Sequence, residues 1–204
     1  YGIAKTPTKE NHIINPKYPY AFSKWVAEEA IKHWAKLFKF SYISIRIFNA
    51  YGPRFQTKGA YGSVMGVFLK QKLEKKPLTV VGNGKQKRDF VHAEDVANAF
   101  YLAAISKVKN ETFNLGSNLP IEVNRMVELL KPSKIEKIPY RPGEPFITHA
   151  NINKIKKLLK WHPKVKFDNG FKNLIANIND WKNAPLWNKK NIKTATINWF
   201  RYLK

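Results

Sequence analysis

Residues 20–47 read YAFSKWVAEEAIKHWAKLFKFSYISIRI. From Tyr20 to Phe38, the residues Phe22, Val26, Ala30, Trp34 and Leu37 recur at helical spacing, with Lys24, Glu28, Lys32 and Lys36 elsewhere on the cylinder. This predicts an amphipathic helix. Ser41 to Ile47 is short and β-branched, which predicts a buried strand. A helix feeding such a strand is the repeating unit of an α/β protein with a largely parallel sheet.

Working outward, the alternation persists. Residues 6–19, rich in Pro, Lys and Asn, read as a loop, as does Asn49 to Gly62 with three glycines and a proline. Ser63 to Lys75 predicts a helix, Leu78 to Val81 a strand, and Gly82-Asn-Gly84 a turn. Ala93 to Ser106 predicts a helix with Glu94 and Asp95 in its first turn, where the dipole favours acids. Thr112 to Leu115 and Ile135 to Tyr140 predict strands, with a helix from Ile121 to Leu130 between them. Helices are expected at Ile152 to Leu159, Asn169 to Trp181 and Asn191 to Leu203. The mainly helical end, 151–204, is expected to cap or extend the fold.

A chain of 204 residues suggests one domain or two small ones, and 44% hydrophobic with 14% aromatic residues is enough for a core;. The absence of cysteine excludes disulfides, thiolate metal sites and a cysteine nucleophile, and fits a cytoplasmic protein;. No apolar run approaches the roughly 20 residues that span a bilayer, so no membrane partner is expected. His12, His33, His92, His149 and His162 lack metal-ligand spacing, so no metal is expected. The formal net charge of +23 is spread from Lys5 to Lys204. It reads as a solvated basic surface, compatible with drawing in a diphosphate substrate. A nucleic-acid or other anion-binding module is the rival class, with charge as its sole support. The opening Tyr1-Gly2-Ile3-Ala4-Lys5 does not read as a signal peptide. It carries no initiator methionine, so the sequence is expected to be a piece of a longer chain.

Tyr20-Ala-Phe-Ser-Lys24 puts a phenol and an ammonium on one helical face. A phenol is a poor base at neutral pH, and a nearby ammonium favours its phenolate. Such a tyrosine can take a hydroxyl proton while hydride leaves the same carbon. The pattern is short, and Tyr1 to Lys5 matches it too, so on pattern alone Tyr20 is either catalytic or structural.

Context adds specificity. Pro19-Tyr20-Ala-Phe-Ser23-Lys24, Arg46-Ile-Phe48-Asn49-Ala-Tyr51-Gly52-Pro53-Arg54, Gly82-Asn-Gly84-Lys-Gln86-Lys-Arg88-Asp89-Phe90-Val91-His92 and Arg141-Pro142-Gly143-Glu144 stand in this order. Together they resemble the extended short-chain dehydrogenase/reductases, in particular the nucleotide-sugar epimerases and dehydratases. Trp161-His162-Pro163 resembles that family's Gly-Trp-x-Pro, with Lys160 where glycine is common.

The resemblance implies the C-terminal portion of a Rossmann-type parallel sheet, interleaved with a smaller, mainly helical substrate-binding domain. Residues 1–54 and 92–118 would belong to the NAD-binding domain, and 55–91 and 119–204 to the nucleotide-sugar domain. It implies NAD as cofactor and a nucleotide-diphosphate sugar, a UDP-sugar first, as substrate. Tyr20 would be the acid/base, and Lys24 would tune it and hold the nicotinamide ribose. Backbone around Phe48 would lie near the nicotinamide. Asn49, Arg88 and Arg141 would bind the diphosphate and Glu144 the nucleotide ribose. Two guanidiniums around a diphosphate suit their bidentate fork. The implied activity is 4-epimerisation by transient oxidation at sugar C4, with 4,6-dehydration as the alternative. The family's glycine-rich loop and its catalytic Ser or Thr are absent here and expected upstream of Tyr1, so this segment alone is expected to be inactive. The resemblance also implies a homodimer using the Tyr20–Phe38 helix, on which Trp25 and Trp34 suit either a core or an interface. Arg46 reads as a strand-end arginine paired with a carboxylate. Asp89 and Asp95 read as residues that fix loops or cap helices.

Overall fold

Local signals account for most elements. In the computed structural model, which describes residues 1–54 and 63–202, helix α1 (Pro19–Phe38) begins on a proline, whose fixed φ suits the first turn, and ends at Lys39 in the left-handed region;. Strands β1 (Ile43–Ile47) and β2 (Asn49–Tyr51) follow. Helix α2 (Val64–Leu73) is capped by the Ser63 hydroxyl, which accepts from the Met65 N–H;. Strand β3 (Leu78–Val81) turns into β4 (Lys87–Arg88) and β5 (Phe90–His92). His92 then caps α3 (Ala93–Ile105). Next come β6 (Glu111–Leu115), β7 (Ile121–Glu122), α4 (Val123–Leu130), β8 (Ile135–Ile138), α5 (Asn153–Leu159) and α6 (Phe167–Ala176). A 3-10 turn (Ile178–Trp181), α7 (Lys189–Ala195) and α8 (Ile197–Tyr202) complete the order.

Four expectations change in detail. Asn49–Tyr51, expected to open a loop, is strand β2 and pairs with β5. Ile121 and Glu122 are strand rather than helix, because they pair antiparallel with β4, Arg88 opposite Ile121. The first N–H groups of α4 serve the preceding turn: Val123 donates to the Gln86 carbonyl and Asn124 to that of Gly84. The helix expected from Asn169 begins at Phe167 and gives way to the 3-10 turn after Ala176. The helix expected from Asn191 starts two residues earlier, on a capping box between Asn188 and Asn191, and breaks at Thr196;. There the Thr196 hydroxyl bonds back to the Ile192 carbonyl at 2.8 Å;. Residues 55–62 of the expected loop, and Leu203, lie outside the described residues. Among the described residues no helix is long and apolar enough to cross a membrane.

The chain forms two units. The first comprises Tyr1–Ala50, Asp89–Pro120 and Ile147–Val165. Its strands β1 and β6 run parallel in the register Ile43 with Glu111 through Ile47 with Leu115. Val91, Phe113, Leu115, Ile152, Ile155 and Trp161 form its core. The sequence reading places 151–165 in the mainly helical end, and in the structure Ile155, Leu159 and Trp161 bury their side chains in this core. Lys160 sits at φ 54 just before Trp161, a left-handed backbone that favours glycine;.

The second unit comprises Tyr51–Arg88, Ile121–Phe146 and Lys166–Lys204. Its parallel pair is β3 with β8, Leu78 opposite Ile135 through Val81 opposite Ile138. Phe68, Leu69, Met126, Phe171, Leu174 and Trp181 are buried there. Helices around parallel strand pairs make the protein α/β, as expected.

Candidate active site

In the first unit, the amphipathic pattern of α1 does not bury its apolar side: Ala35 is the one buried residue the helix has. Tyr20 is 74% exposed. Lys24, one turn on, holds its ammonium 5.3 Å from the centre of the Tyr20 ring. The pair therefore shares an accessible face.

What fixes α1 is a polar knot beneath it. Arg46 on β1 grips Glu28 with two bonds, Nε to Oε2 at 2.8 Å and a terminal nitrogen to Oε1 at 2.7 Å. The same guanidinium donates to the Tyr1 hydroxyl at 2.6 Å and the Glu10 carbonyl at 3.0 Å. Tyr1 in turn donates to Asn114 Oδ1, and Asn114 donates to the Thr8 carbonyl. Burial raises the Glu28 carboxyl, but hydrogen bonds from Arg46 and Lys32 outweigh it and hold the pKa at about 2;. Burial pushes the Tyr1 phenol up, against the hydrogen bond from Arg46. Of the two Tyr-x-x-x-Lys matches, Tyr1 is thus occupied in the scaffold. Arg46 has the carboxylate partner expected of it.

Phe48 and Asn49 sit past the end of β1. Phe48 N–H donates to the Leu115 carbonyl at 2.9 Å and Asn49 N–H to that of Asp89 at 3.2 Å. Asn49 Oδ1 accepts from the Thr148 hydroxyl, which itself accepts from the Asp89 N–H. Asp89 is fully buried and accepts from Ser117 N–H, the Ser117 hydroxyl and Ala150 N–H. A side chain on Gly116 would approach the Asp89 carboxylate to 2.6 Å, so the glycine is required by that close packing. Asp95 accepts from the Lys164 and Val165 N–H groups, and its carbonyl from Trp161. Both aspartates fix loops, as expected.

In the second unit, Gly82 and Gly84 take positive φ, and a Cβ on Gly82 would strike the Tyr140 ring. The turn is pinned by Tyr140, whose hydroxyl donates to Asn83 Oδ1 at 2.8 Å. Beyond it, Arg88, Arg141 and Glu144 line one cavity of about 180 Å³. Arg88 pairs with Glu144 at 3.0 Å and donates to the Lys87 and Phe146 carbonyls. The fold thereby gathers three of the residues singled out in the sequence. Tyr20, Lys24, Phe48 and Asn49 belong to the first unit.

Sequence reasoning missed the rest of this cavity. Gln86 lines it, and so do Trp187, Ile192, Thr196 and Trp199 from the C-terminal segment. Trp199 Nε1 donates to the Pro142 carbonyl at 2.9 Å, holding the Arg141–Glu144 turn. The signal available in the sequence was two tryptophans, Trp187 and Trp199, within a short tail rich in Lys and Asn.

Comparison with known proteins accords with this layout. The model of the NAD dependent epimerase/dehydratase family matches residues 1–116. UDP-glucuronate 4-epimerase of Thermodesulfobacterium geofontis is 30% identical over 187 residues, covering 89% of this chain and 53% of that protein. UDP-glucose 4-epimerase of Thermotoga maritima, solved with UDP-glucose, is 28% identical with a TM-score of 0.79, over 89% of this chain and 59% of that one. UDP-glucuronic acid 4-epimerase of Bacillus cereus, solved with UDP-glucuronic acid and NAD, is 28% identical with a TM-score of 0.79, over 90% and 58%. The chain spans about half the length of the curated relatives it matches. Its fold is that of these Rossmann-type epimerases. On the family match and the shared fold together, the chain belongs to the NAD dependent epimerase/dehydratase family.

Proposed function

We propose that this chain carries the acid/base pair and the nucleotide-holding groups of an NAD-dependent nucleotide-sugar 4-epimerase acting on a UDP-sugar. The observation that carries this reading is the convergence of Arg88, Arg141 and Glu144, up to 56 residues apart in sequence, on one cavity. Two guanidiniums can clasp a diphosphate bidentately, and a carboxylate can accept from ribose hydroxyls. Asn49, with its Oδ1 already engaged by Thr148, is assigned to the diphosphate through its amide.

Tyr20 takes the proton of the C4 hydroxyl as hydride leaves that carbon, and returns it as the hydride comes back to the other face of the same carbon. Lys24 keeps a positive charge beside the phenol and holds the nicotinamide ribose. NAD, when bound, supplies the hydride acceptor. The exposed Tyr20–Lys24 face leaves room for such a group, and the backbone at Phe48 would flank it. The relatives solved with UDP-glucose, or with UDP-glucuronic acid and NAD, support both ligand assignments.

The enzyme is read as a cytoplasmic homodimer. Support for assembly comes from α1, where Phe22, Trp34, Leu37 and Phe38 are more than half exposed;. Sedimentation of the full-length protein at micromolar concentration is expected to give a dimer, and a monomer would remove this role. For the ligand reading, Arg88→Ala and Arg141→Ala should each weaken UDP binding in calorimetry by at least about 1 kcal/mol. Equal binding by the unaltered chain and both variants would refute it.

A further inference from the structure

The cavity of the second unit carries polar chemistry that Arg88, Arg141 and Glu144 do not account for. Gln86 is 8% exposed. Its Nε2 donates to the Val81 carbonyl at 3.2 Å, which leaves Oε1 as the uncommitted end. That oxygen is buried and has no hydrogen-bond partner among the described residues. Trp187 lines the same cavity, and its indole N–H is likewise buried without a partner among the described residues. Orphaned buried polar atoms are rare in native proteins, because each bears its full desolvation cost. One acceptor and one donor on a single cavity point to a ligand that brings one of each. Trp181 Nε1 is also orphaned but does not line this cavity.

The surroundings restrict the ligand further. Val81, Val123, Ile138 and Ile192 give the cavity apolar walls, while Arg88 and Arg141 bring positive charge to it. Such a lining suits a flat ring joined to an anionic group. An indole N–H can only donate, and the Gln86 amide oxygen can only accept, so the roles of the two orphans are fixed;. A uracil edge offers N3–H between two carbonyls and satisfies this pair whichever carbonyl meets the indole. Cytosine can do so in one orientation only.

The backbone behind Trp187 is held as well. Gln71 is fully buried on α2, and its Nε2 donates to the Thr79 hydroxyl and the Trp187 carbonyl, both at 2.8 Å. Its Oε1 accepts from the Thr79 N–H at 3.1 Å. One amide therefore ties Trp187 to β3, the strand that also supplies the Val81 carbonyl to Gln86.

We propose that Gln86 and Trp187 form the base-reading pair of this pocket, with Gln86 Oε1 accepting from uracil N3–H and Trp187 Nε1–H donating to an adjacent carbonyl. This rests on the nucleotide-sugar reading and adds to it the part of the nucleotide recognised and the two residues that recognise it.

Calorimetry on the full chain tests it with UDP and 3-methyl-UDP, which lacks the N3 proton. The unaltered chain should bind UDP at least about tenfold more tightly than 3-methyl-UDP, the scale of one lost hydrogen bond. Gln86→Leu should close that gap, and Trp187→Phe, which keeps the ring shape, should weaken UDP by about the same factor. Arg88→Ala should weaken both ligands alike. If the unaltered chain binds the two ligands equally, the pairing is wrong even where the arginines prove essential. That comparison needs no variant and so survives misfolding of Gln86→Leu. Undiminished UDP binding by both Gln86→Leu and Trp187→Phe would also overturn it. Failure of the unaltered chain to bind UDP at all would overturn the nucleotide reading and this inference with it.

Discussion

Helix α1 carries Tyr20 and Lys24, and helix α2 supplies Val64, Val67 and Phe68 to the cavity wall, yet the two are held in opposite ways. Helix α1, of 20 residues, buries Ala35 alone and is tied down by the charged grip of Arg46 on Glu28. Helix α2, half as long, buries Met65, Phe68, Leu69, Lys70 and Gln71. The proposed acid/base pair thus stands on a helix positioned by a few directional polar bonds. The cavity proposed for the nucleotide is walled by close packing. Polar anchoring leaves reactive groups accessible, whereas packing fixes the shape of a recess.

The largest effect should come from the exposed pair. Tyr20→Phe in the full-length enzyme is expected to lower turnover by about 10²–10⁴-fold, the usual contribution of a general acid/base. UDP affinity should not change. A parallel fall in UDP affinity would mean that the two regions are not separable, and near-normal turnover would remove Tyr20 from the chemistry. The packed region should answer to volume instead. Phe171 is fully buried and stacks on Phe167, with ring centres 5.6 Å apart. Phe171→Ala is expected to cost about 3–5 kcal/mol in urea unfolding.

The polar grip should answer to pH. Glu28 has a folded pKa of about 2, below its ordinary value of 4.5. A depressed carboxyl contributes stability that is fully present above the ordinary value and is lost as pH falls through the folded one. Unfolding midpoints of the unaltered chain and Glu28→Gln should therefore converge between pH 4.5 and 2. A constant gap across that window would show that Arg46 does not depend on the Glu28 charge. The smallest effect belongs to the exposed side of α1. Trp34 is 59% exposed. In monomeric chain, Trp34→Ser should stay within about 0.5 kcal/mol of the parent. A loss comparable with that of Phe171→Ala would mean that α1 is packed after all.

Placements set by neighbours in the chain were legible in the sequence. Tyr20 and Lys24 fall one helical turn apart, and Asp95 falls in the first turn of α3. Asp89 could be read as a loop-fixing residue, although its partners Ser117 and Ala150 could not be named. Residues whose roles come from distant partners stayed hidden. Gln71 looks like any polar residue on an amphipathic helix, and its function exists only once Thr79 and Trp187 meet it. Ile121 has the spacing of the helix that follows it, and becomes strand because Arg88 lies opposite. Thr196 breaks the last helix through its own hydroxyl, which competes with the backbone for Ile192;.

The hydrogen bond from Trp199 to Pro142 places the segment around Trp199 in the wall of the cavity proposed for the nucleotide. Removing the segment after Ala184 would therefore strip Trp187, Ile192, Thr196 and Trp199 from that wall and is expected to weaken the proposed ligand binding. Grafting this tail between relatives would likewise exchange one cavity wall while leaving Tyr20, Lys24, Arg88 and Arg141 untouched, a route to altered ligand preference by a single crossover.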